Sequence, residues 1–120
     1  MVTTTDLRCL RVLDGIHPDA TRTVVKIFLG QPYQPSESNS YRCPVRIEGL
    51  DYFHAFPDIG GWDALQSIEL AISFANSMLL DYTVRGGRLY YPDTEEAYTP
   101  PGTMDKCLKN ESEKIEEAGA

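Results

Sequence analysis

From Trp62 to Asp81 the chain contains neither proline nor glycine, and this stretch constrains the fold more than any other. Nothing in it interrupts a helical hydrogen-bond ladder. Its apolar residues Leu65, Ile68, Ala71, Ile72, Ala75, Met78, Leu79 and Tyr82 recur at three- and four-residue spacing. On a helix that spacing gathers them into one stripe, with Gln66, Glu69, Ser73, Asn76, Ser77 and Asp81 largely opposite. Asp63 followed by Gln66 fits a capping box, and Gly60-Gly61 supplies the turn before it. The pattern predicts one long helix over 62–82. Leu70 and Phe74 fall outside the stripe, so the helix has a second surface to offer. A homodimer through Leu70 and Phe74 is one expectation, and a monomer the other.

The segments before the helix read as strands. Leu7–Leu13 is apolar on both parities, and Asp14-Gly15 and His17-Pro18-Asp19 carry turn chemistry. Thr21–Leu29 is rich in β-branched residues, with Val25, Ile27 and Leu29 on one face and Val24, Lys26 and Phe28 on the other. Gly30–Ser40 reads as a loop. Tyr41–Gly49 alternates, Cys43, Val45 and Ile47 against Arg42, Pro44, Arg46 and Glu48, and Pro44 predicts an edge position or a bulge. Leu50–Phe56 is expected to be a further strand or an extended run, with residues 57–61 turning into the helix. Gly86-Gly87 stops the helix, and Arg88–Tyr91 is a short last strand. The fold expected is α+β: an antiparallel sheet of about four or five strands packed on one face by a single long helix.

Charge divides the chain. Residues 1–91 hold eight Lys/Arg against ten Asp/Glu, and residues 92–120 hold three against eight. From Pro92 the composition also shifts towards Pro, Thr, Glu and Gly. The expected organisation is one domain over 1–91 and an acidic tail over 92–120, flexible or weakly helical, with Met104, Leu108 and Ile115 at loosely helical spacing. A nearly neutral body lacks the basic excess that phosphate neutralisation needs, so no nucleic-acid partner is expected. No apolar run is long enough to span a bilayer, so no membrane partner is expected either. Cys9, Cys43 and Cys107 are odd in number and form no CxxC pair. With no signal-like N-terminus, they point to a reducing cytoplasm.

Two pieces of the chain carry a resemblance. Tyr41-Arg42-Cys43-Pro44-Val45-Arg46-Ile47-Glu48-Gly49-Leu50, followed by Gly61-Trp62-Asp63-Ala64-Leu65-Gln66-Ser67-Ile68-Glu69-Leu70-Ala71, resembles a group of small bacterial proteins of unknown function. Their pattern is an aromatic-x-Cys strand ending in Ile-x-Gly, then a helix opening Gly-x-Asp-Ser-Leu-Gln-Ala-Leu-x-Leu-Ala. This chain departs from it at Ala64, where the pattern has Ser, and at Ser67, where it has Ala. The resemblance implies a bacterial origin and a strand-strand-strand-helix order. It brings no catalytic residues.

No phosphate-binding, dinucleotide-binding or HExxH motif is present. His17 and His54 have no partners at metal-ligand spacing, so neither a metal nor a cofactor is expected. Gly60-Gly61 at a helix start could cradle an anion, but Asp58 and Asp63 already place negative charge there. The outward parity is more informative. Arg42 and Arg46 share one face, and Arg22 and Lys26 share another beside Val24 and Phe28. If the helix covers the opposite side, these four cations mark a mixed cationic and apolar docking surface. The preferred expectation is a non-enzymatic binding or accessory protein acting through that face or through the tail, with another protein as partner. The alternative is a small enzyme or ligand binder whose pocket lies near the 31–40 loop, His54 and the helix start. A cluster of His54, Asp58, Asp63 and Cys43 around one cavity would mark it.

Overall fold

The structure is a computed structural model and describes residues 7–51 and 58–101. Its elements are β1 (Arg8–Ile16), β2 (Arg22–Leu29), β3 (Tyr41–Cys43), β4 (Val45–Glu48), β5 (Ile59–Gly61), α1 (Ala64–Val84) and β6 (Arg88–Tyr90). Four strands form an antiparallel sheet in the order β4-β2-β1-β6, and β3 pairs with β5 in a second, two-stranded sheet. The single helix packs on one face, so the α+β expectation holds. Leu13, Val25, Ile27, Val45, Ile47 and Leu89 from the sheet meet Ala71, Ala75, Leu79 and Tyr82 from the helix in one core.

The helix begins where its capping residues require. Asp63 is extended, and its carboxylate accepts from the Gln66 N–H at 2.7 Å. Gln66 reaches back to accept from the Trp62 N–H at 2.6 Å, so two otherwise orphaned donors are satisfied. At the other end Gly86 takes φ +105°, its N–H donating to Thr83, and the Gly87 N–H donates to the Tyr82 carbonyl. These paired bonds close the helix in the Schellman arrangement. The buried line along α1 is Ser67, Ala71, Ala75, Leu79 and Tyr82. The expected stripe is therefore rotated: Leu65 and Ile72 stand exposed at its edge, while Phe74 is half-buried against the core. Small side chains at 67, 71 and 75 let the helix axis approach the strands, and that contact decides the rotation.

Pro44 divides the alternating run over 41–49. Lacking an N–H it cannot extend a ladder, and its carbonyl accepts from the Gly30 N–H instead. The two halves then find different partners, β3 with β5 and β4 with β2. Ile59–Gly61, expected to be a turn, is a strand. Glycine is required there, because a Cβ on Gly61 would lie 2.6 Å from the Ser67 backbone nitrogen. Leu50 is buried and Asp51 exposed, whereas 52–56, the rest of the expected strand or extended run, and 57 lie outside the described residues.

Past Tyr91, the last residue of the expected domain, the described chain stays hydrogen-bonded to its neighbours. The Tyr91 N–H donates to Glu96, the Tyr98 N–H donates to Leu89, and Tyr90 bridges Ala97. Tyr98 is buried with the Arg11 guanidinium over its ring and donating to its hydroxyl, and Pro100 is buried as well. The Tyr98 ring of this Pro- and Glu-rich segment, held against the Arg11 cation of β1, offsets the ordering cost that composition alone suggests. The expectations for 102–120 lie outside the described residues.

Candidate functional site

Strand alternation and register place one set of side chains on the sheet face away from α1. Across β6, β1, β2 and β4 they form rows: Arg88, Ile16 and Arg22, then Tyr90, Asp14 and Val24, then Val12, Lys26 and Glu48, then Phe28 and Arg46. Three of the four expected cations, Arg22, Lys26 and Arg46, thus share a surface. Arg42 does not join them. It lies on β3, in the second sheet, because Pro44 separates it from β4.

The face is mixed in character. Val12 and Val24 keep 41% and 48% of their surface in water, and Phe28, Ile16 and Tyr90 are partly exposed beside them. Arg46 pairs with Glu48 at 3.0 Å, but both side chains are half in water, so the pair stabilises little. Asp14 accepts from the Asp93 N–H at 2.9 Å, which ties the turn after β6 to the rim. Four cations face two carboxylates, on a chain whose net charge is −7. Sequence reasoning missed Arg88, Val12 and Ile16. The signal for Val12 and Ile16 was present in β1, whose apolar residues sit on both parities, as in a strand with a covered face and an apolar open one.

A second feature lies at the helix start. A shallow hollow of about 350 Å³ is lined by Ser40, Arg42, Gly60, Gly61, Trp62, Gln66 and Leu70. Trp62, the chain's one tryptophan, is 80% exposed at its rim. Of the residues expected to cluster around a pocket, Asp58, Asp63 and Cys43 are not among those that line this hollow. Asp63 is spent on capping the helix. Asp58 accepts from the Tyr33 hydroxyl at 2.5 Å, and this bond holds the Tyr33 phenol above its ordinary pKa. Cys43 is buried, and desolvation, with Asp58 adding to it, pushes its thiol up. A thiol kept protonated is a poor nucleophile and metal ligand. His54 lies outside the described residues.

His17 stands elsewhere, its Nδ1 2.8 Å from the Tyr82 hydroxyl with the rings edge to face. Burial of Tyr82 pushes its phenol up to about 12. Among the described residues no group of three or more His, Cys, Asp or Glu could hold a metal ion, and no helix is long and apolar enough to cross a membrane.

No curated protein and no solved structure matches the chain. A family model does, over residues 9–101, from the start of β1 to the last described residue. The match takes in both sheets, α1 and the Tyr98 segment. The chain belongs to the DUF6968 family, a domain of unknown function.

Proposed function

We propose that this protein is a non-enzymatic binding domain, and that its open sheet face receives an acidic, partly apolar surface of another protein. The observation that carries the reading is the row structure of that face. Val12, Ile16 and Val24 lie among Arg22, Lys26 and Arg88 on the side of the sheet opposite the helix. Fully burying an exposed aliphatic side chain is worth about 1.5–3 kcal/mol, and Val12 and Val24, 41% and 48% exposed, each stand to gain roughly half of that. The surrounding cations attract carboxylates and raise the rate of encounter. Arginine beside apolar groups is also the composition found at the centres of protein interfaces.

The test is affinity capture from host lysate with the native chain and with Arg22→Glu/Lys26→Glu. A stoichiometric partner held by the native chain and lost from the double variant supports the reading. No partner, or equal recovery by both, refutes it. The hollow at the helix start supports a second reading, as a small-ligand site in which Trp62 stacks on the ligand and Arg42 and Gln66 supply polar contacts. Because the chain has one tryptophan, quenching of its fluorescence during a ligand screen reads that site directly.

A further inference from the structure

Among the residues that line the hollow beside Trp62, only Arg42 is ionised. Arg42 is exposed on β3, and among the described residues no hydrogen bond or ion pair engages its guanidinium. Gln66 spends its amide oxygen on the Trp62 N–H, so the amide nitrogen is what it has left to offer. The indole nitrogen of Trp62 can only donate, and the Ser40 hydroxyl is already paired with Ser38 at 2.9 Å. The side chains of the hollow therefore present donors, and a ligand has to bring the acceptors. Asp58 and Asp63, expected to place negative charge here, are engaged by Tyr33 and by the Gln66 backbone, and neither lines the hollow.

Gly60 makes the opposite case to Gly61. A Cβ at position 60 would meet nothing nearer than the Tyr41 carbonyl oxygen at 3.9 Å, and its φ is not positive. Neither packing nor backbone conformation requires glycine there. Gly60 lies directly across the ladder from Arg42, so a side chain at 60 would share Arg42's side of the pair. What the missing side chain leaves is open space beside the guanidinium.

We propose that this hollow binds a small free aromatic carboxylate, its ring against Trp62 and Leu70 and its carboxylate on Arg42 and the Gln66 amide nitrogen. The inference rests on the ligand-site reading of the hollow and supplies the ligand's chemistry. The planar guanidinium fork matches a carboxylate with two parallel hydrogen bonds. Trp62, 80% exposed, and Leu70, 43% exposed, give the ring an apolar surface to cover. One guanidinium balances one carboxylate, whereas the second charge of a phosphate would have no counterpart in the lining.

Nuclear magnetic resonance on the full chain tests this, because its one tryptophan gives a single indole N–H resonance. Benzoate is expected to shift that resonance to saturation, and benzamide, its uncharged counterpart, to bind at least about tenfold more weakly. Arg42→Gln is expected to weaken benzoate by about the same factor. Gly60→Val fills the space beside Arg42 and is expected to abolish binding while the rest of the spectrum stays native. Arg85→Gln, which removes the same charge at the far end of α1, is expected to leave binding unchanged. Equal binding of benzoate and benzamide overturns the carboxylate and keeps the site. Benzoate binding that survives both Arg42→Gln and Gly60→Val overturns the proposal, since the ligand then sits elsewhere. Saturation by neither compound overturns the ligand-site reading as well. Saturation by the peptide Gly-Gly-Phe alone overturns the free acid and makes a chain terminus the source of the carboxylate.

Discussion

Replacing Tyr82 with phenylalanine removes one oxygen atom and makes two opposed predictions. The ring is fully buried at the end of α1, packed so closely on Gly87 that a Cβ there would lie 2.4 Å from it. Phenylalanine keeps that packing and loses only the bond to His17 Nδ1. At neutral pH the cost is about 1 kcal/mol, the net worth of one such hydrogen bond. At alkaline pH the sign reverses. Burial holds the Tyr82 pKa at about 12 in the folded chain, against about 10 in the unfolded one. Between those values the folded state holds the proton more tightly, so the stability is fully present below about pH 10 and is lost as pH rises towards 12. The loss approaches about 2–3 kcal/mol, and the variant escapes it. Urea unfolding of both proteins at several pH values should give stability curves that cross at about pH 10.7, where the alkaline loss equals the lost bond. Curves that stay parallel from neutral to alkaline pH would refute the assignment of Tyr82 as a buried, hydrogen-bonded phenol.

Gly49→Ala should abolish or severely weaken folding, by more than about 3 kcal/mol, because a Cβ there would sit 2.0 Å from the Val24 carbonyl oxygen at φ +94°; soluble yield and urea midpoint report it. Asp63→Ala should cost about 1 kcal/mol through loss of the cap to Gln66, and Asp63→Asn should restore most of it. Tyr98→Ala should release the strap over Ala97–Pro100 and make residues 92–96 the first site of proteolytic cleavage, where the native chain resists. Alkylation mapped by mass should modify Cys9 in the native protein and reach Cys43 only on unfolding, since Cys9 is exposed and Cys43 buried.

Much of the local structure was legible because its signals are local. The Asp63–Gln66 cap, the Gly86-Gly87 stop and the unbroken apolar repeat between them specify α1 wherever it packs. The β-branched run over 22–29 specifies β2, and its alternation correctly separates buried Val25 and Ile27 from exposed Val24. The same alternation identified Arg22, Lys26 and Arg46 as neighbours on an outward face.

Pairings between distant segments could not be read in this way. That Tyr41–Cys43 leaves β4 for Ile59–Gly61 depends on which edges are free after β2 has paired, and two glycines give no strand signal of their own. Arg42 was displaced from the cationic face by that choice. The rotation of α1, which exposed Leu65 and Ile72 and drew Phe74 inward, follows from the small residues facing the strands rather than from the period of the stripe. The Tyr98 strap is held by Leu89 and Arg11, residues nine and 87 positions away. Propensity and period determine which segments can be helix or strand, since they act within a few residues. Which faces remain open is decided by long-range packing, because each buried area exists only once its partner is in place.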